Sequence, residues 1–378
     1  MKSINSVLIT GGAGFIGSFT ADRLVESGYN VTILDMLEPQ VHFGKMPEYL
    51  NKKAKFIQGN FSDRTLLTPI MKEVDVVVHL AASVGVGQSM YMIEKYIDNN
   101  SRGTAMLLDI LVNKENNVKK LVVASSMSVY GEGKYYCEKC ETEVYPELRT
   151  EEQLKKRQWD QMCPNCKSIL KPLPTDENKP LMPTSIYAQS KRHQEEMCLL
   201  TGKTYGIPTI ALRYFNVYGS RQSLSNPYTG ACAIFTSRIL NNKSPFIFED
   251  GKQARDVIHV KDIAQANLNA IENNSIKCKA INVGTGKPST IKGLAENLIK
   301  LYNKPNLKPF ISNEYRKGDI RHCYADITRA QSLLHFKPVI TQEEGLTELA
   351  VWAKTHGGDA TDLFEKALKE LREKHLAT

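Results

Sequence analysis

The feature that most limits what this chain can fold into is an apolar strand that runs straight into a glycine turn and then a helix. Residues 7–10 form the strand, Gly11-Gly12-Ala13-Gly14-Phe15-Ile16-Gly17 the turn, and an amphipathic helix continues to about Glu26. Gly11, Gly14 and Gly17 stand three apart. Missing side chains there let the turn tighten, let a pyrophosphate approach the backbone and let the helix pack on the strand. Free amides and the dipole at the helix N-terminus favour an anion. A plain strand-to-helix turn also uses glycine, so the turn alone leaves both readings open.

The next strand decides between them. Val31-Thr32-Ile33-Leu34 ends in Asp35, about 20 residues past the turn, where a carboxylate accepts both ribose hydroxyls and repels a 2′-phosphate. The expected cofactor is NAD, in preference to NADP. Further strands are expected over 55–58, leading into Gly59-Asn60-Phe61, over 75–80, ending in Ala81-Ala82, and over 120–124, ending in Ser125-Ser126. Strands alternating with helices, with small or polar residues at the strand ends, describe an α/β fold: a Rossmann doubly wound parallel sheet with its crevice at the C-terminal edge.

The expected organisation is an NAD-binding domain over 1–131, an insertion over 132–174, a return to the first domain over 175–225, and a smaller, discontinuous substrate-binding lobe over most of 226–378. Ile281-Asn282-Val283 is assigned to that lobe, while 255–272, with the strand Val257-Ile258-His259-Val260 and a periodic helix, is expected to return to the main sheet. His259 reads as a hydrogen-bonded structural histidine. The tail 359–378 reads as a charged amphipathic helix with a solvated face.

Tyr187-Ala188-Gln189-Ser190-Lys191 falls on an expected helix, where an i, i+4 spacing puts phenol and ammonium one turn apart on one face. A nearby positive charge favours phenolate, so Lys191 is expected to lower the pKa of Tyr187 and make it a general base. A surface tyrosine beside a solvated lysine has the same spacing. The cofactor turn upstream and the Ser126 hydroxyl at a strand end favour the chemical reading, with Ser126 bonding a substrate oxygen as its charge changes.

Eight cysteines divide into scattered Cys198, Cys232, Cys278 and Cys323, which read as small core residues, and two tight pairs. Cys137-x-x-Cys140, then 22 residues, then Cys163-x-x-Cys166 is a structural zinc pattern. No histidine lies nearby, so four thiolates close the shell and leave no position for a catalytic water. A segment of this size has little core, and the metal is expected to supply its folding free energy. Its place between Ser126 and Tyr187 predicts that it stands beside the mouth of the site.

Forty-nine basic against 41 acidic residues give +8, spread along the chain and not gathered into a nucleic-acid-binding block. No apolar run approaches the roughly 18 residues that span a bilayer, and no leader pattern precedes the first strand. A cytoplasmic enzyme with no membrane or nucleic-acid partner is expected.

These residues resemble the extended short-chain dehydrogenases, and within them the nucleotide-sugar 4-epimerases and 4,6-dehydratases. The resemblance rests on the glycine turn, Asp35, Leu80-Ala81-Ala82, Asn100 in Asn100-Ser101-Arg102-Gly103-Thr104, Ser125-Ser126-Met127-Ser128-Val129-Tyr130-Gly131, Tyr187 with Lys191, Arg213-Tyr214-Phe215-Asn216-Val217-Tyr218-Gly219, and Arg255-Asp256-Val257-Ile258-His259. It implies that Ser126, Tyr187 and Lys191 are catalytic, with Lys191 also on the nicotinamide ribose. It implies that Gly11, Gly14, Phe15, Ile16, Gly17, Asp35, Asn60, Phe61, Leu80, Ala81, Ala82, Asn100 and Phe215 join Tyr187 and Lys191 around NAD. Ser126, Ser128, Asn216, Arg255, Arg316 and Asp319 are implied on the nucleotide sugar. Asn60 stands where the family usually has an aspartate, and its amide oxygen still accepts from the adenine amine.

The family's dehydratases carry Asp and Glu after the catalytic hydroxyl; here Met127 and Ser128 stand there, and neither moves a proton for dehydration. Epimerisation at C4 through a transient 4-keto sugar is therefore expected. The stretches Leu80–Tyr91 and Ser225–Gly230 are most similar to dTDP-L-rhamnose 4-epimerases, with UDP-glucose 4-epimerase the alternative. Family habit further implies a homodimer built on the helices around 91–112 and 187–200.

Overall fold

The computed structural model describes residues 4–357 and 360–378. Seven parallel strands form the main sheet, in the spatial order Cys278–Val283, Thr209–Tyr214, Lys120–Ser126, Val76–His79, Ser6–Thr10, Asn30–Asp35 and Lys55–Gln58. Continuous apolar runs such as Val76-Val77-Val78 are wholly buried, as strands covered on both faces must be. One face packs on the helices Phe15–Glu26 and Val260–Glu272 through Leu24, Ile263 and Ala266. The other packs on Arg64–Glu73, Gly103–Asn113 and Ile186–Tyr205 through Leu67, Leu107 and Cys198.

The strand order reverses between Ser6–Thr10 and Val76–His79, which sit side by side with Thr10 opposite His79. Crossovers leave in opposite directions from such a point and open a crevice at the strand ends. Gly11 and Leu80-Ala81 occupy that crevice.

Two strands exchange the places expected for them. Ile281 and its neighbours pair with Thr209–Tyr214 as an edge strand of the main sheet. Ala254–His259 instead joins a second sheet with Asn216–Tyr218, Pro288–Thr290 and His322–Cys323. An apolar run marks a strand but carries nothing about which sheet it joins. The helix that follows, Val260–Glu272, does pack on the main sheet. Buried Lys120 caps its C-terminal end, donating to the carbonyls of Ala270 at 3.3 Å, Ile271 at 2.5 Å and Asn273 at 2.5 Å. Those carbonyls have no helical partners of their own.

The insertion is a three-stranded antiparallel ribbon of Lys134–Cys137, Thr142–Val144 and Lys171–Leu173, with one short helix, Glu151–Lys155. The chain closes on the helix Phe364–Glu373. Its expected start at Asp359 lies outside the described residues, and its face is not simply solvated. Phe364, Ala367, Leu368 and Leu371 are buried against the molecule. No helix among the described residues is long and apolar enough to cross a membrane.

Candidate active site

The glycine turn is held by backbone geometry. Gly11 adopts φ +71°, and a Cβ there would stand 2.8 Å from Ala81. A Cβ on Gly17 would run into the Gly11 carbonyl, so helix and turn approach only because both are glycine. The helix that opens at Phe15 has no side-chain cap, leaving its first amides free for an anion. Asp35 is fixed by two backbone amides, accepting from Ala13 at 3.0 Å and Leu37 at 2.8 Å. Its carboxylate borders the same cavity as the turn.

That cavity measures about 670 Å³. Gly11, Gly14, Phe15, Ile16, Gly17, Asp35, Asn60, Phe61, Leu80, Ala81, Ala82 and Phe215 line one part of it. Ser126, Ser128, Tyr187 and Lys191 line it too, as do Asn216, Arg255, Arg316 and Asp319. Every expected cofactor and substrate residue is therefore gathered there except Asn100. Asn100 is fully buried behind the wall: its side chain accepts from the Ser83 amide at 2.7 Å and donates to the Ser83 carbonyl at 3.0 Å and Ser190 Oγ at 2.9 Å. It braces the segment after Ala82 instead of facing the cavity.

Ser185 starts the helix that carries the chemistry, accepting from the Ala188 amide at 3.1 Å. Tyr187 and Lys191 emerge one turn apart on its inner face. The Tyr187 ring meets Tyr96 edge-on at 6.4 Å. Ser126 ends its strand beside them, accepting from Ser128 Oγ at 2.9 Å. The expected electrostatics need correction: burial raises the Tyr187 pKa, with the Ser126 hydroxyl opposing the rise. Burial also lowers Lys191, to about 8. The ammonium is turned to Gln194 Oε1 at 2.9 Å, and the low-dielectric surroundings disfavour both charged forms.

Gln194 begins a buried polar chain that the sequence reading missed. Its amide donates to Thr104 Oγ1 at 2.8 Å; Thr104 lies 2.9 Å from His79 Nε2, and His79 Nδ1 lies 2.7 Å from Thr10 Oγ1. Burial, helped by Lys191, lowers His79 to about 3, so the imidazole is neutral. Gln194 stands three residues past Lys191, on the same helical face, and that spacing was the available signal.

On the substrate side, Arg316 pairs with Asp319 through two contacts, Nε–Oδ2 at 2.8 Å and Nη2–Oδ1 at 3.2 Å, and lies 4.8 Å over the Phe248 ring. Arg255 is held by the carbonyls of Ala254, Ile320 and Arg321 at 2.7–2.9 Å. Asn216 donates to the Asp256 carbonyl at 3.0 Å. Phe246, Phe248 and Phe364 form an aromatic end, with ring centroids 5.1 and 5.3 Å from Phe246. Phe364, Leu368 and Leu371 of the last helix border the cavity. Glu370 ties that helix down, accepting from Tyr91 Oη at 3.1 Å and from Tyr228.

His259 accepts from the Lys261 amide at 3.4 Å and packs against Tyr218. The four insertion cysteines converge, with all Sγ atoms within 4.8 Å of one another, Cys137 to Cys166 at 3.4 Å and Cys140 to Cys163 at 3.9 Å. A tetrahedron of sulfurs about 2.3 Å from zinc has edges of about 3.8 Å, so the donor set fits the ion. Among the described residues, none from 132 to 174 lines the cavity. The insertion's root residue Glu132 is bonded inward to the amides of Arg321 and His322 at 2.8 Å.

A glycine turn at the switch point with a Ser, Tyr and Lys set beside it defines a Rossmann enzyme of the extended short-chain dehydrogenase class. The chain belongs to the NAD dependent epimerase/dehydratase family, matched over residues 7–284. It is 32% identical over 350 residues to the dTDP-L-rhamnose 4-epimerase of Burkholderia thailandensis, covering 92% of this chain and 94% of that protein. A solved UDP-N-acetylglucosamine 4-epimerase from Methanobrevibacter ruminantium, in complex with UDP-N-acetylmuramic acid, superposes with a TM-score of 0.75 at 34% identity, over 94% of this chain and 99% of that one. The UDP-glucuronic acid 4-epimerase from Bacillus cereus, solved with UDP-glucuronic acid and NAD, gives a TM-score of 0.74 at 27% identity, over 93% and 99%.

Proposed function

We propose that this enzyme inverts C4 of a nucleotide sugar, and that the sugar nucleotide is dTDP-L-rhamnose. The observation that carries the 4-epimerase reading is the meeting of Ser126, Tyr187 and Lys191 in one cavity between the glycine turn and the Arg255 and Arg316 guanidinium groups. NAD, held by Gly11, Gly14, Gly17 and Asp35, supplies when bound a nicotinamide that accepts a hydride and returns it. Tyr187 takes the C4 hydroxyl proton and gives it back, while Ser126 bonds that oxygen. Lys191, in its ammonium form, steadies the phenolate once a ligand draws it from Gln194. Arg255 and Arg316 match a diphosphate in charge and in fork geometry.

Met127, buried, and Ser128, bonded to Ser126, leave dehydration without an acid or base there. The apolar aromatic end beside Arg316 suits a thymine and its methyl group, and the Burkholderia relative supports that choice. UDP sugars are the alternative, because relatives of comparable likeness are named for them. The four-cysteine ribbon would hold zinc through Cys137, Cys140, Cys163 and Cys166 in a structural role.

Purified protein incubated separately with dTDP-L-rhamnose and UDP-glucose, without added NAD, is expected to invert C4 of the first, resolved by NMR. Inversion of UDP-glucose alone moves the reading to the alternative. Failure to invert any nucleotide sugar with NAD bound sinks the 4-epimerase reading.

A further inference from the structure

We propose that Arg149, in the cysteine insertion, is a positioning residue that sets the substrate end of the cavity from behind. The proposal rests on the reading of that end as a nucleoside diphosphate site. Arg149 and Glu249 are both buried, each side chain 1% exposed, and face each other fork to fork, Nη1 to Oε2 at 2.9 Å and Nη2 to Oε1 at 2.8 Å. The same guanidinium donates to the Asp319 carbonyl at 3.0 Å and to the Trp159 carbonyl at 3.0 Å. Neither Arg149 nor Glu249 lines the cavity.

Their partners do. Glu249 directly follows Phe248 and holds left-handed backbone, φ +56°, which a non-glycine residue keeps only where its surroundings enforce it. Asp319 is the residue that grips Arg316 by two contacts, and Arg316 lies over Phe248. One buried side chain thus joins the backbone of the diphosphate clamp to the residue beside the aromatic wall. Arg321 reinforces the arrangement, reaching Glu249 at 3.1 Å and Asp250 at 2.6 Å.

Stability alone is a poor account of this pair. Burying two charges costs desolvation that their attraction only roughly offsets, and an apolar pair of the same volume holds two segments together as well. Arg149 Nε is moreover buried without a partner. What a bidentate pair adds is a fixed separation and angle. The geometry points to an insertion whose work is to fix the distance between Phe248 and Arg316.

The test compares holoenzyme with Arg149→Lys, which keeps the charge but loses the fork, and with the double variant Arg149→Met, Glu249→Met, which keeps volume without charge. Steady-state kinetics on the sugar nucleotide that wild type turns over are read together with calorimetric affinity for dTDP and UDP and with bound NAD. Both variants are expected to raise KM about tenfold or more, weaken dTDP or UDP alike, and leave kcat within about twofold. NAD content stays at the wild-type level, and the double variant stays folded, because Arg321, which also loses Glu249, keeps Asp250 and Asp160. A folded variant with wild-type KM and nucleotide affinity overturns the proposal. So does a parallel fall of kcat, NAD content and nucleotide affinity, which marks general packing. Absence of turnover in wild type breaks the underlying reading instead, and the dTDP and UDP affinities then still decide the role of Arg149.

Discussion

The main sheet and the cysteine ribbon are built by opposite means. In the sheet, strands such as Val76–His79 and Thr209–Tyr214 are buried end to end, and two apolar clusters clothe its faces. In the insertion, the buried apolar clusters shrink to Tyr135, Cys137, Cys163 and Leu170, two of which are themselves thiols, and to Leu154 and Trp159 against Tyr315. Order there comes from directional bonds: the four converging sulfurs, and Glu132 accepting from three partners besides Arg321. A large region can rely on area removed from water; a region of some 40 residues cannot, and must rely on specific chemistry.

The widest separation between the two is expected from Tyr187→Phe. Loss of one hydroxyl should lower turnover about a thousandfold, while melting temperature and bound NAD stay at wild-type values. Retention of more than a tenth of the activity would show that another group moves the proton. A smaller effect is expected from Cys163→Ser with Cys166→Ser. One zinc per chain should disappear by emission spectroscopy, limited proteolysis should cut first between 132 and 174, and KM should rise while NAD content holds. Full protease resistance and full activity without metal would remove the contrast between ribbon and sheet.

The smallest effect concerns Lys191. Its folded pKa of about 8 lies below the ordinary 10.5, so between those values the unfolded chain binds the extra proton. Stability should then rise with pH across about 8 to 10.5, the cost of burying the charge being fully present below 8, by up to about 1.4 kcal/mol per pH unit. Urea titrations of cofactor-free protein should show this slope relative to Lys191→Met. Parallel curves would mean that the ammonium is better solvated than its surroundings imply.

Much of the sheet was legible because its signals are local. The Gly11 to Gly17 spacing, Asp35 at a strand end and the i, i+4 step from Tyr187 to Lys191 each depend on a few neighbouring residues. What escaped depends on long-range pairing. Nothing near Val257 or Ile281 distinguishes an edge strand of one sheet from a central strand of another, and those two were exchanged. Asn100 carries the family motif, yet its amide turns to Ser83 and Ser190. Arg149 and Glu249 lie 100 residues apart, and nothing near either one points to the other. The last helix has the charges of a solvated face, and only the folded chain brings Phe364 and Leu368 against Phe248.

That last helix also orders events during synthesis. The main sheet is complete in the chain at Val283, whereas Phe364 follows about 80 residues later, roughly 4 to 16 s at ordinary translation rates of about 5–20 residues per second. A nascent chain therefore possesses its glycine turn, Asp35 and all seven strands before it possesses the wall around the aromatic end. The dinucleotide can meet a finished binding surface while the sugar nucleotide still has none, so the order of emergence favours loading the dinucleotide first.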